Sequence, residues 1–202
     1  MAETDERGKL IGGHVRQCRT ERGWTLDQLA ERSGVSRRML VNIEQGSGNP
    51  SIATLLRVSD ALGIGLPILV DVDRSAALRV TRSGQAPVLW RGASGGSAVL
   101  VAGTEPPDVV ELWDWTLGPG DVHHSEPHAA GTRELLLVLA GQIRLRVGQA
   151  AQLLGPGDSA AFRSDISHSY ANPVTPDGRR GDAVARFALT VFEPHVGTGG
   201  TQ

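Results

Sequence analysis

WTLDQLAERSGVSRRMLVNIEQG, residues 24–46, repeats apolar residues at helical spacing on both sides of Gly34. Thr25 followed three residues later by Gln28 has capping-box spacing, and Trp24 with Leu29 fits a hydrophobic staple, so a helix is predicted to start at Leu26. Gly34 suits the left-handed position that closes it, and Ser36 is placed to cap a second helix after a short turn. That is helix-turn-helix spacing. On the second helix Leu40 and Ile43 face Leu26, Leu29 and Ala30, while Arg38, Val41, Asn42 and Gln45 share the outward face.

Arg37 and Arg38 stand at the N-terminal end of that second helix, the end such a motif presents to the major groove. An arginine can donate two bonds to guanine and an asparagine can pair with adenine, so the residue types suit base reading. The charge agrees: residues 7–57 hold nine Lys/Arg against four Asp/Glu, a local +5 in a chain whose net charge is -2. A helical docking or dimerisation module with a solvated arginine face is the other reading of the same residues. Flanking segments complete a small bundle. Residues 9–22 turn Ile11, Val15 and Cys18 inward, and residues 51–62 turn Ile52, Leu55, Leu56 and Leu62 inward before Gly63. His14 and Cys18 read as packing residues, whereas Gly12 and Gly13 lower the helix propensity of the first segment without an evident reason.

The run LAERSGVSRRMLVNIEQGSGNPSIATLLRVSDALGI resembles the Xre-type helix-turn-helix family, and the likeness extends over roughly residues 9–70. The resemblance implies a five-helix DNA-binding domain in which Arg37, Arg38 and Asn42 touch bases. It places Thr25, Gln28 and Asn49 where phosphate contacts are usual, with Ser36 at the head of the reading helix counted among the DNA-binding residues.

Beyond residue 76 the pattern changes to short strands: VVELWDWTL (109–117), ELLLVLA (134–140), QIRLRVG (142–148) and RFALTVF (186–192), punctuated by turns such as GPGD. An antiparallel barrel or two-sheet jelly roll is expected. The stretch EPHAAGTRELLLVLAG, 126–141, resembles the first cupin motif, with His128 at its first histidine, Glu134 at its glutamate and Gly141 at its closing glycine. Ala130 stands at the second histidine position, and Gly120 falls two residues too early for the leading glycine. Gly157, His168 and Asn172 match the second motif, where Arg163 replaces a proline and Asp165 a glycine.

His128, Glu134 and His168 could supply two imidazoles and a carboxylate, a set suited to a divalent ion such as Zn, Fe, Mn or Ni with positions left open. His123, His124 and Glu126 lie just upstream and are candidates for the missing ligand if the strand register shifts. The same side chains also fit a metal-free pocket whose histidines hydrogen-bond an effector, with His128, Glu134, His168 and Tyr170 as its lining.

The whole is thus expected to be α+β and two-domain. A helix-turn-helix domain over 8–70 leads through a linker over 71–76 to a cupin sensor domain over 77–193, with flexible tails at 1–7 and 194–202. LPILV, 66–70, is an apolar run between a helix end and the acidic linker. Cys18 is the only cysteine, which rules out an intrachain disulfide, and no apolar run of about 18 residues or more points to a membrane, so a cytoplasmic protein is expected. The resemblance implies a transcriptional regulator that binds operator DNA as a homodimer, answers a small-molecule effector and is not an enzyme. The alternative is a mononuclear iron oxygenase resembling hydroxypropylphosphonate epoxidase, whose iron motif keeps a histidine four residues before the glutamate, where this chain has Ala130.

Overall fold

In the computed structural model, residues 2–47, 50–70, 78–173 and 184–197 are described, with side chains from Gly8 onward. They form two compact units, one comprising 1–80 with 105–108 and 195–202, the other 81–104 with 109–194. The expected linker, 71–76, lies outside the described residues, as does Asn49.

The described residues of the first unit form five helices: α1 (Ala2–Glu21), α2 (Leu26–Ser33), α3 (Arg37–Glu44), α4 (Ile52–Leu62) and α5 (Gly65–Val70). The predicted caps form. Thr25 Oγ1 accepts from the Gln28 N–H while Gln28 Oε1 accepts from the Thr25 N–H, and Gly34 closes α2 with φ 65°. Ser36 and Ser51 cap α3 and α4 by accepting from Met39 and Thr54 N–H groups. Val15, Leu29, Leu40, Val58, Leu66 and Leu69 make the core. LPILV is the body of α5, with Leu66, Pro67, Ile68 and Leu69 buried, and Pro67 sits in the first turn where its missing N–H costs nothing.

α1 begins at Ala2; no Gly or Pro precedes Gly8, so each added residue simply extends an existing ladder. At the other end 194–197 form a turn in which Val196 is buried and its N–H donates to the Pro107 carbonyl at 2.7 Å. An apolar side chain is what ties that part of the tail down.

Gly12 finds its reason here. A Cβ on it would lie 2.1 Å from the Ile43 carbonyl oxygen, so glycine permits α1 to approach the C-terminal turn of α3. A Cβ on Gly13 would meet open space, and nothing in the fold explains that glycine. Arg19 crosses the same contact: its Nε and NH2 donate to the two oxygens of Glu44 at 2.6 and 2.9 Å, and its NH1 to the Trp24 carbonyl at 2.7 Å. That fork is nearly dry, so it fixes α1, α3 and the turn before α2 in one geometry.

The second unit is entirely antiparallel: β1 (Val88–Arg91), β2 (Ser97–Gly103), β3 (Val109–Leu117), β4 (Val122–Ser125), β5 (Arg133–Ala140), β6 (Ile143–Val147), β7 (Ala150–Leu154), β8 (Ser159–Arg163), β9 (His168–Ala171) and β10 (Ala185–Glu193). They form a six-stranded sheet, β1-β2-β3-β10-β5-β8, and a four-stranded one, β4-β9-β6-β7, which is the two-sheet jelly roll and not a single closed barrel. Inward positions alternate along the strands. Trp113 and Trp115 of β3, Leu136 and Val138 of β5, Leu145 of β6 and Phe187 of β10 fill the interior. β9 pairs with β4 and β6, bringing His168 opposite Ser125 and Val147, while Glu134 of β5 pairs with Val191 and Phe162. The interior therefore receives a carboxylate from one sheet and an imidazole from the other. No helix among the described residues is long and apolar enough to cross a membrane.

Candidate functional site

The helical unit presents the N-terminal end of α3 to solvent. Ser36, Arg37 and Arg38 are exposed there, with Asn42 half-buried one turn on, and Leu40 and Ile43 anchor the opposite side in the core. Thr25 and Gln28 are exposed at the start of α2, but their side chains are engaged in the capping box; with Gln28 Oε1 accepting a backbone N–H, its amide nitrogen is the group left to donate. Arg37 Nε lies 3.1 Å from Asp27 Oδ1, with 60% and 77% of the two side chains exposed, so water weakens the pair and the guanidinium is readily released. Spacing within the sequence did not signal this link between α2 and α3.

In the jelly roll, His128, Glu134 and His168 bring their donor atoms within 4.8 Å of one another. Glu134 Oε1 lies 3.1 Å from His128 Nε2 and 3.3 Å from His168 Nε2. Burial alone would raise the Glu134 pKa, but the close polar contacts and charges of the two histidines outweigh it and hold the carboxyl down at about 2. For His168, burial works against the charged form and Glu134 overcomes it, so that its pKa is raised. His168 Nδ1 is 2.9 Å from the Ile166 carbonyl, which makes it the N–H side and turns the Nε2 lone pair inward in the neutral ring. That Nε2 is buried and makes no hydrogen bond, its 3.3 Å approach to Glu134 being an electrostatic contact only.

An ionised carboxylate only accepts, so His128 Nε2 at 3.1 Å either turns an N–H toward Glu134 or, with the His168 Nε2 lone pair, faces a metal ion. The residues fit a metal. Donors each about 2.0–2.2 Å from a common zinc stand roughly 3–3.5 Å apart, the spacing seen on both sides of Glu134 Oε1. Two imidazoles and a carboxylate with a carbonyl behind one ring are also the donor set and backing that divalent transition metals take. Tyr170 completes the surroundings: its hydroxyl donates to Glu134 Oε2.

None of the other sequence candidates joins these converging donor atoms. His123 packs against Trp115 with ring centroids 4.7 Å apart and against Trp90 at 5.3 Å; His124 and Glu126 are exposed. A register shift supplying a third histidine does not occur, because β4 pairs with β9 through the unbroken series Val122 to Ser125. Ala130 sits exposed in the turn before β5. Arg163 and Asp165, where the motif residues are missing, brace that turn instead: the guanidinium donates to the carboxylate at 2.9 and 3.0 Å, and Asp165 accepts from Gly131 N–H at 3.3 Å. The aromatic wall of Trp90, Trp115 and Phe187 beside the site was not signalled by motif spacing; only the alternation in β3 pointed one tryptophan face inward.

The helix-turn-helix family profile matches residues 15–69 and the cupin domain profile residues 113–179. The transcriptional regulator SutR of Escherichia coli is 30% identical over 167 residues, covering 81% of this chain and 88% of SutR. The chain belongs to the helix-turn-helix transcriptional regulators that carry a cupin domain. PuuR of Escherichia coli, also a helix-turn-helix transcriptional regulator, is 25% identical over 83% of this chain and 90% of PuuR. The crystal structure of a helix-turn-helix family regulator from Vibrio cholerae superposes with a TM-score of 0.69 at 25% identity, covering 95% of this chain and 99% of that one. These similarities run through both domains, and they make this chain a transcriptional regulator and not an oxygenase.

Proposed function

We propose that this cupin regulator reads operator DNA as a homodimer through the N-terminal end of α3 and responds to a small molecule held in its jelly roll. The observation that carries the first half is the exposure of Arg37 and Arg38 on a capped helix whose other face is anchored by Leu40 and Ile43. Arg37, Arg38 and Asn42 contact bases; Thr25, Gln28, Ser36 and Asn49 position the backbone of the duplex. Two such helices on a two-fold axis read half-sites about 34 Å apart. The DNA-binding part spans 8–70, the linker 71–76 and the sensor 77–193.

The second half rests on the buried charge of Glu134 between two histidines. His128, Glu134 and His168 bind a divalent metal, Zn, Fe, Mn or Ni, and with Tyr170 form the wall against which the effector is recognised. Bound metal supplies a Lewis-acidic position for an effector oxygen or nitrogen. Replacing Arg38 by alanine is expected to weaken operator binding by about 1–3 kcal/mol and to relax base preference at one position per half-site. Footprinting across base-substituted operators measures both effects. Uniform weakening over all sequences would assign Arg38 to a phosphate instead, and unchanged binding would favour a docking role for α3.

A further inference from the structure

Tyr170 is buried, and its hydroxyl is spent on Glu134 Oε2, while both histidines are set against Oε1. Its ring is fixed from several sides: Phe187 lies at 5.3 Å, Trp115 at 5.5 Å and His168 at 5.7 Å between ring centroids. His168 and Tyr170 stand two residues apart on β9, so one strand delivers both a donor nitrogen and the hydroxyl that orients the carboxylate. Neither cupin motif assigns a role to this position, which lies between His168 and Asn172 of the second one. An aromatic core residue alone would need no hydroxyl here, since a phenylalanine fills the same space without burying a polar group.

We infer that Tyr170 is a positioning residue for the metal centre, holding Glu134 so that Oε1 alone is offered to a divalent ion together with His128 and His168. This rests on the metal reading of the triad proposed above. A carboxylate whose second oxygen is taken by a phenol binds in a monodentate manner, and the ion then keeps positions open for an outside ligand. Ala130 removes one family ligand, and Tyr170 prevents Glu134 from filling the gap with its second oxygen.

Tyr170→Phe deletes the hydroxyl and keeps the ring. With full-length protein, zinc affinity is measured by competition with a chromophoric chelator, and the visible spectrum is recorded after loading with Co(II). The variant is expected to bind zinc about 10–100-fold more weakly. Its Co(II) bands should lose intensity as Glu134 swings to two-oxygen coordination and the coordination number rises. Tyr170 is the only tyrosine, so biosynthetic 3-fluorotyrosine places one fluorine probe beside the centre without changing the ring packing, and its resonance is expected to shift on zinc addition. Wild-type protein that binds zinc, paired with a variant of equal affinity, an unchanged Co(II) spectrum and a fluorine resonance blind to zinc, overturns the role of Tyr170 alone. Wild-type protein that takes up neither ion overturns the metal reading and this inference with it.

Discussion

At the scale of single residues, the sequence was most informative where one side chain acts on its own neighbourhood. Thr25, Gln28, Gly34 and Ser36 form the caps that their spacing announces, because capping is settled within four residues. The Arg19–Glu44 fork joins residues 25 apart, and the Asp27–Arg37 pair crosses between helices; neither has a local signature. His123 shows the same limit. Its place in the chain made it a ligand candidate, whereas pairing in β4 turns it onto Trp90 and Trp115. Burial there, then the charges of His168 and His124, lower its pKa to about 4, against the opposing pull of Glu134. An unfolded histidine titrates near 6.5, so between that value and about 4 the unfolded chain binds the extra proton. Stability present above pH ~6.5 is therefore lost as pH falls toward about 4, by roughly 3 kcal/mol from this group at the limit. His123→Phe removes the titration and keeps a ring in the wall. Urea midpoints of metal-free protein between pH 7 and pH 4 should fall less steeply in the variant; an identical slope would show that His123 takes up its proton as readily in the fold as in the unfolded chain.

At the scale of elements, periodicity served helices better than strands. α2 and α3 were legible because apolar residues recur at the helical interval between recognisable caps. In β5 the run LLLVLA hides its alternation: Leu136 and Val138 are buried while Leu135, Leu137 and Leu139 are exposed, and only pairing with β10 and β8 sets which is which. α1 carries the feature whose explanation needed its partner. Gly12 looked like a flaw in a helix until the Ile43 carbonyl was seen against it. Gly12→Ala is expected to destabilise the protein by about 1–3 kcal/mol, since the clash with backbone outweighs the roughly 1 kcal/mol gained in helix propensity. Because Ile43 belongs to α3, the same substitution should weaken operator binding. Chemical denaturation and a binding titration read the two effects, and a more stable variant would mean that α1 can slide away from α3 at little cost.

At the scale of the whole molecule, two architectures with different periods meet in one chain, and the sequence pattern changes near residue 71. The cupin motifs located His128, Glu134 and His168, which do converge; they gave no hint that Arg163 and Asp165 would brace the turn at Ala130. The reason is physical: a ligand set is a pattern of residue types at fixed spacing, whereas a brace is any pair that happens to reach. The central claim is that this regulator reads a two-fold DNA site with α3, and the most direct test is to select bound sequences from a random double-stranded pool. Full-length protein is predicted to enrich a palindrome with half-sites centred about one helical turn apart, ~34 Å, and an Arg37→Ala, Arg38→Ala variant to lose that enrichment. A pool with no enriched sequence, or one enriched equally by the doubly substituted chain, would contradict it.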